Sequence, residues 1–119
     1  MHTNLDFIAL HTTDLTAARQ YYTGVLGFET TSGPPTAAVF TQAGGATLAV
    51  REPLPHEQRD HLGAGVSVWF GVPDADAYHA RIAAAGAQVI QPPQDGPFGR
   101  MFSVRTPDGH TLTFHQTPA

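Results

Sequence analysis

The stretch PFGRMFSVRTPDGHTLTFH, residues 97–115, decides the fold of this chain. Two strand-like runs flank the tripeptide PDG at 107–109, in which Pro presets φ, Asp tolerates the next turn position and Gly takes the left-handed one. This composition predicts a hairpin closed by a three-residue loop. The predicted pairs are Thr106 with His110, Ser103 with Thr113, and Phe102 with Phe114.

Side chains alternate across a strand, so this hairpin has two different faces. One face is apolar and should be covered by a helix; its members are Phe102, Val104, Leu112 and Phe114. The other face is mixed and polar, as expected for a wall that faces a ligand; its members are Met101, Ser103, Arg105, Thr111, Thr113 and His115.

The pattern around this hairpin occurs twice along the chain. Asp14 and Asp74 each precede a predicted helix, and Gly27 and Gly86 each follow one, at a spacing of about 60 residues. We therefore predict an α+β domain over residues 1–119, built from two βαβββ modules. The modules cover about residues 1–55 and 64–119, and the Pro- and charge-rich segment of about 52–65 is the expected linker.

The remaining elements follow from the same reading. The first module should have strands at 6–11 and 28–31, a helix at 15–26, and a hairpin of 37–42 with 46–51. A two-residue turn at Gly44-Gly45 would pair Phe40 with Ala49 and place both on one face. In the second module we expect a strand at 66–72, a helix at 75–85, a short strand at 88–91 and a loop at 92–97.

Composition excludes several classes of function. The net charge is −4, all six cations are arginine, and no basic patch interleaves with aromatics, so a nucleic-acid partner is not expected. No apolar run approaches the roughly 18 residues of a membrane span. The absence of cysteine excludes disulfides and thiol catalysis. The first residues show no signal-peptide pattern, which makes the cytoplasm the expected location.

Two motifs resemble those of a known family. The run DLTAARQYYTGVLGF, residues 14–28, is similar to the D-L-x5-[FY]-Y-x3-L-G-F signature of the vicinal oxygen chelate superfamily. TPDGHTL, residues 106–112, is similar to the hairpin motif of that superfamily, which includes glyoxalase I, fosfomycin-resistance enzymes, extradiol dioxygenases and bleomycin-resistance proteins. The resemblance implies a mixed sheet cupped around a ligand cavity, usually in a homodimer.

Metal-dependent members of this superfamily carry His or Glu on the first and last strand of each module. The positions that match here are occupied by Phe7, Ala49, Ser67 and Thr113, and none of these is a usual metal ligand. The resemblance therefore implies the metal-free branch, with no metal site and no cofactor. Members of that branch look like proteins that sequester planar or glycopeptide antibiotics, or like metal-free isomerases and cyclases.

An aromatic surface with a few polar anchors suits a flat organic ligand, aromatic or carbonyl-rich. The predicted ligand-binding residues are Phe7, Phe40, Ala49, Arg51, Ser67, Trp69, Phe98, Arg100, Met101, Ser103 and Thr113. Gly96 and Gly99 would allow a loop that carries Phe98 and Arg100 to move over the cavity mouth. The alternative is that the aromatics only fill the space that a metal would occupy.

Two histidines, His11 and His115, lie on the same strand faces as Phe7 and Thr113. Imidazole titrates near neutrality, so both are candidate catalytic acids or bases. A displaced two-histidine metal site and a plain solvated role are the alternatives.

The leading hypothesis is a metal-independent small-molecule binding protein of the bleomycin-resistance type. The alternative is a metal-free isomerase, cyclase or lyase that acts on a natural-product or carbonyl substrate. A metal enzyme with relocated ligands is the third hypothesis.

Overall fold

A computed structural model describes residues 2–118 of the chain. Contacts divide it into two compact units, Met1–Leu62 and Gly63–Ala119, which we call the first and second modules. No helix within residues 2–118 is long and apolar enough to cross a membrane.

The first module is a four-stranded mixed sheet with one helix. Its elements are β1 (Phe7–His11), α1 (Leu15–Gln20), a π-helical turn (Tyr21–Val25), β2 (Thr30–Thr31), β3 (Ala37–Phe40) and β4 (Thr47–Arg51). The strand order is β1-β4-β3-β2, in which β1 and β4 run parallel and the other neighbours run antiparallel.

The second module repeats this plan. Its elements are β5 (Ser67–Val72), α2 (Ala75–Ala84), β6 (Gln88–Gly96), β7 (Gly99–Arg105) and β8 (Thr111–Gln116). The strand order β5-β8-β7-β6, with β5 and β8 parallel, matches the order in the first module. The predicted α+β class and the two βαβββ modules are confirmed.

The helix boundaries follow from the predicted caps. Asp14 and Asp74 are extended, and each carboxylate accepts a hydrogen bond from the backbone amide three residues later, at 3.0 Å. Gly27 and Gly86 follow the helices with φ of 77° and 105°, which favours glycine. The predicted helix at 15–26 differs in one respect, because α1 widens into the π-helical turn after Gln20.

A layer of aromatic side chains packs between sheet and helix in each module. In the second module Phe114 lies 5.4 Å from Phe102 and 4.9 Å from Tyr78 of α2, measured between ring centroids. In the first module Tyr22 packs on Phe40 at 5.4 Å. Burial of each such side chain stabilises the fold by about 1.5–3 kcal/mol. This side of each sheet is therefore its helix-covered face. On the other side, which we call the open face, the second module has side chains as buried as Thr113, at 3% exposure, and as exposed as Trp69, at 43%.

The C-terminal hairpin has the predicted register. Ser103 pairs with Thr113 and Phe102 with Phe114. The Thr106 amide donates to the His110 carbonyl at 2.9 Å, which closes the loop on the predicted residues. Gly109 adopts φ of 96°, the conformation for which the turn requires glycine.

The predicted register of the first hairpin is wrong by one residue. Phe40 pairs with Leu48, and Ala49 pairs with Val39, because β3 and β4 are joined by a loop at 41–46 instead of a two-residue turn. A one-residue shift moves every side chain of a strand to the opposite face. Phe40 is 2% exposed and packs on Tyr22, so it lies on the helix-covered face and not beside Ala49.

The segment at 92–97 was also expected to be a loop, but most of it is strand. β6 continues to Gly96 through two irregularities in its pairing with β7. Its prolines are tolerated because β6 is an edge strand, where an amide can remain unpaired without a break in the sheet. Gly96 pairs with Gly99 across a two-residue turn at 97–98. The predicted mobile loop is therefore a tight hairpin turn, with Arg100 inside β7.

Candidate functional site

The open face of the second module carries most of the residues that the sequence singled out. By the pairing of β5, β8 and β7, this face holds Ser67, Trp69, Met101, Ser103, Thr113 and His115. Their placement agrees with the predicted alternation of the hairpin and of the strand at 66–72. Trp69 remains 43% exposed and Phe98, at the β6–β7 turn, remains 67% exposed.

Three rings meet at one end of this face, and we call Trp69, Phe98 and His115 the aromatic corner. The Trp69 and Phe98 ring centroids are 5.9 Å apart with an interplanar angle of 85°. The Trp69 and His115 centroids are 5.8 Å apart with an angle of 55°. Rings at nearly right angles are a favourable T-shaped pair, and together they present one contiguous apolar surface.

The β6–β7 turn is fixed in place against the end of β8. Nδ1 of His115 lies 3.0 Å from the carbonyl oxygen of Phe98. Gly99 has φ of 99°, and a Cβ at this position would lie only 2.7 Å from the carbonyl oxygen of Gln116. Since only glycine fits both conditions, Gly99 allows the turn to approach β8 and holds Phe98 near Trp69.

An open depression of roughly 570 Å³ adjoins the aromatic corner. It is lined by Pro97, Phe98, Gly99, Arg100, His115, Gln116, Thr117 and Pro118. Trp69 contacts two of the lining residues, Phe98 and His115. The volume falls within the range of small-molecule sites in proteins.

Ser103 and Thr113 play a structural role in this face. Both are buried, and their hydroxyl oxygens lie 2.7 Å apart in a side-chain hydrogen bond across the β7–β8 pair. Each hydroxyl thus already has a partner, and a buried polar group without one would destabilise the sheet. Met101 is also nearly buried, at 9% exposure, whereas Ser67 is exposed.

Arg100 lines the depression, but its side chain is engaged on the helix-covered side. Its guanidinium contacts the carboxylate of Asp76 in α2 at 3.2 Å and that of Asp95 at 3.4 Å. The hydrogen bond to Asp76 raises the pKa of Arg100. The prediction that Arg100 lies on a mobile loop is wrong, because Arg100 is part of β7. Its alternation with Met101 in that strand turns its side chain toward the helix.

The equivalent end of the first module has a different composition. Two nitrogens of Arg51 contact the two carboxylate oxygens of Glu57 at 2.7 and 3.1 Å, and Nε2 of His11 lies 3.4 Å from the second oxygen. The amide of Leu54 donates to Glu57 at 2.8 Å. We call His11, Arg51 and Glu57 the charged cluster; it ties residues 54–57 to the ends of β1 and β4.

Glu57 is the member of the charged cluster that the sequence does not predict, since it lies in the segment expected to be a linker. A signal was present, because His11 and Arg51 are direct neighbours in the parallel pair of β1 and β4. A guanidinium next to an imidazole offers several N–H donors, which a carboxylate can accept. The hydrogen bonds from Arg51, then that from Leu54, lower the pKa of Glu57 to about 2, and the nearby His11 acts in the same direction.

The residues at the four metal positions do not fit a divalent cation. Phe7 and Ala49 offer only carbon, and the Thr113 hydroxyl is bonded to Ser103. Ser67 supplies one weak oxygen ligand, whereas such sites use imidazole and carboxylate. Within residues 2–118, no three His, Cys, Asp or Glu side chains group closely enough to hold a metal.

Comparison with known proteins places the chain in a family. The sequence model of the Glyoxalase/Bleomycin resistance protein/Dioxygenase superfamily matches residues 4–114. The curated protein "Putative glyoxylase CFP32" of Mycobacterium tuberculosis, and that of Mycobacterium bovis, is 28% identical over 116 residues. The match covers 93% of this chain and 44% of CFP32, so the chain spans less than half the length of these relatives.

Solved structures share the fold over nearly all of the chain. TioX from Micromonospora sp. ML1 is 29% identical with a TM-score of 0.74, and the match covers 98% of this chain and 100% of TioX. TnmS3, an antibiotic binding protein from Streptomyces sp. CB03234, is 20% identical with a TM-score of 0.80 and 98% coverage of both chains, which shows the fold alone. The chain belongs to the glyoxalase/bleomycin resistance protein/dioxygenase superfamily.

Proposed function

We propose that this protein is a metal-independent small-molecule binding protein that sequesters a planar aromatic or carbonyl-rich compound, as antibiotic-binding members of the superfamily do. The observation that carries the proposal is the aromatic corner. Trp69 on the sheet face and Phe98 on the adjoining turn expose large apolar rings that contact each other, and a contiguous exposed apolar patch marks a ligand or partner site.

The geometry of the corner suits a flat ligand. A planar ring system stacked on Trp69 would touch Phe98, since the two rings stand at 85°. His115 adds a polar group beside these apolar walls. Large apolar contact with one or two polar groups that fix orientation is the usual composition of a small-molecule site.

The comparisons support the binding of a small molecule. TnmS3, which shares the fold, is described as an antibiotic binding protein. The four positions that hold metal ligands in metal-dependent members are here carbon or hydroxyl groups. Both observations favour stoichiometric binding over metal-assisted chemistry.

The predicted residues differ in whether they would contact the ligand. Trp69 and Phe98 provide the contact surface, and His115 provides the polar anchor. Ser67 is exposed on the same face and remains a proposed contact. Phe7 lies in the first module and Arg100 is held by Asp76, so the proposed site does not use them. His11 and Arg51 both contact Glu57, so a ligand would have to compete with that carboxylate for them.

Trp69 is the only tryptophan of the chain, so its fluorescence reports on the proposed site. We expect metal-free bleomycin or anthraquinone-2-sulfonate to change the emission of Trp69 with saturation at one ligand per chain. Calorimetry with Trp69→Ala should show at least a tenfold loss of affinity. Ile90→Ala, which shortens an exposed apolar side chain on the edge strand β6, is the control and should bind normally.

Mass spectrometry of the released ligand separates the binder from the alternative enzyme. A binder returns the ligand with unchanged mass. Turnover of a natural-product or carbonyl substrate that falls in His11→Ala or His115→Ala would instead establish the isomerase, cyclase or lyase. Sedimentation of the free and ligand-bound protein tests the homodimer that we also propose.

A further inference from the structure

The hydrogen bond between His115 and Phe98 fixes which imidazole nitrogen carries the proton. Nδ1 lies 3.0 Å from the Phe98 carbonyl oxygen. A carbonyl oxygen can only accept, so Nδ1 must donate. In the neutral imidazole the other nitrogen then has a lone pair and is an acceptor. Nε2 of His115 is therefore a hydrogen-bond acceptor beside Trp69.

The ring of His115 lines the open depression. Gly71 of β5 pairs directly with His115 of β8. The methyl group of Thr117 occupies the place that a side chain at position 71 would take, since a Cβ there would lie 2.6 Å from Cγ2 of Thr117. Within residues 2–118, the bond to Phe98 is the one hydrogen bond of the ring.

The acceptor and the stacking surface lie within the span of one aromatic ring. The centroids of Trp69 and His115 are 5.8 Å apart. A ring placed on Trp69 with a hydroxyl on its edge can donate that proton to Nε2. If the hydroxyl oxygen is alkylated, or if the substituent is a carbonyl, the ligand brings a second acceptor toward the lone pair of Nε2. Two acceptors repel each other, so such a ligand should bind less tightly.

We propose that the aromatic corner selects hydroxylated aromatic ligands, with Nε2 of His115 as the acceptor for a phenol-type hydroxyl. This inference rests on the proposed binding function and specifies its ligand class. His115 acts here as a specificity-determining residue, and no proton is transferred to the ligand.

The first test measures the protonation pattern directly. Long-range ¹H–¹⁵N NMR of the imidazole rings at pH 8 should show His115 with the proton on Nδ1. A proton on Nε2 would contradict the proposal, because Nε2 could then not accept.

The second test uses a matched pair of probes, 2-naphthol and 2-methoxynaphthalene, titrated into the protein and followed by ¹H–¹⁵N chemical shifts. One hydrogen bond of ordinary strength predicts roughly fivefold tighter binding of 2-naphthol. His115→Phe keeps a ring beside Trp69 but removes both nitrogens, so it should bind the two probes equally.

The outcomes separate the inference from the function on which it rests. Equal binding of the two probes to the unmodified protein would overturn the hydroxyl preference and leave the aromatic site intact. Binding of neither probe would remove the aromatic site and the inference with it. If His115→Phe does not fold, as judged by its amide spectrum, the protonation pattern of His115 in the unmodified protein decides, and a proton on Nε2 contradicts the proposal. Ile90→Ala is the control and should keep the preference.

Discussion

The two modules carry different chemistry on the same frame. At equivalent places in the parallel pair of first and last strands, His11 lies opposite Arg51 in the first module and Gly71 lies opposite His115 in the second. The first pair holds Glu57 in a charged cluster, whereas in the second the His115 imidazole bonds to the Phe98 carbonyl and lines the depression. A change of two residues at equivalent positions therefore turns a closed ionic contact into a candidate ligand anchor.

Two residues earlier on the same paired strands, the modules differ in side-chain size. Ala9 pairs with Ala49 in the first module, and Trp69 pairs with Thr113 in the second. The second module thus places a large ring where the first has a methyl group. Caps, turns and helix-facing aromatics specify the shared frame, and a few residues on the open faces specify the function.

The largest effect should come from a break in the turn that distinguishes the second module. Gly99→Ala forces a side chain into a conformation with φ of 99° and against the Gln116 carbonyl at 2.7 Å. We expect a loss of about 3 kcal/mol in the free energy of unfolding, measured by urea denaturation. Gly24→Ala is the control, because a Cβ at Gly24 meets nothing within 4 Å. Equal stability of the two variants would contradict the tight turn.

The second largest effect should come from a substitution that makes the open faces of the two modules more alike. Trp69→Ala gives the second module the alanine that Ala9 provides in the first, and it should lower the affinity for anthraquinone-2-sulfonate at least tenfold. Calorimetry measures this change without the tryptophan signal. Trp69→Phe retains a ring and should recover part of the affinity. Full affinity in Trp69→Ala would place the ligand elsewhere.

A smaller effect is expected in the first module. Arg51→Met keeps the aliphatic part of the side chain but removes both hydrogen bonds to Glu57. Residues 54–57 should then exchange their amide hydrogens faster, while ligand affinity at the aromatic corner stays unchanged. Hydrogen exchange followed by mass spectrometry measures the first and calorimetry the second. A large loss of affinity would show that the charged cluster belongs to the ligand site.

The smallest effect concerns pH. The pKa of Glu57 is lowered from 4.5 to about 2, mainly by the hydrogen bond from Arg51. A lowered folded-state pKa means that the contact contributes stability above about pH 4.5 and loses that contribution as the pH falls toward 2. An NMR titration of the Glu57 carboxyl carbon should give a midpoint near pH 2, and Arg51→Met should return it toward 4.5. A midpoint near 4.5 in the unmodified protein would contradict the contact.

The sequence predicts the frame well, because single residues determine it. The turn at 107–109 fixes the register of the C-terminal hairpin, and Asp14 and Asp74 fix the helix starts. The loop at 41–46 contains no residue that specifies a single turn type. The burial of Phe40 against Tyr22 determines the register of β3 with β4 instead.

The site was harder to predict because it depends on contacts between distant segments. Trp69 and His115 were found from strand alternation alone. Phe98 lies close to Trp69 because of the tight turn at 97–98, whereas the sequence pattern predicts a mobile loop there. Glu57 lies in a segment without secondary structure, so no periodicity indicates which way its side chain turns.

The central claim is that the second module, and not the first, carries the ligand site. The most direct test is the map of ¹H–¹⁵N chemical-shift changes as anthraquinone-2-sulfonate is added to labelled protein. We predict that the largest changes fall on Phe98, on His115 and on the indole of Trp69, with those at His11 and Arg51 small. Changes concentrated at the charged cluster, or spread evenly over both modules, would contradict the claim.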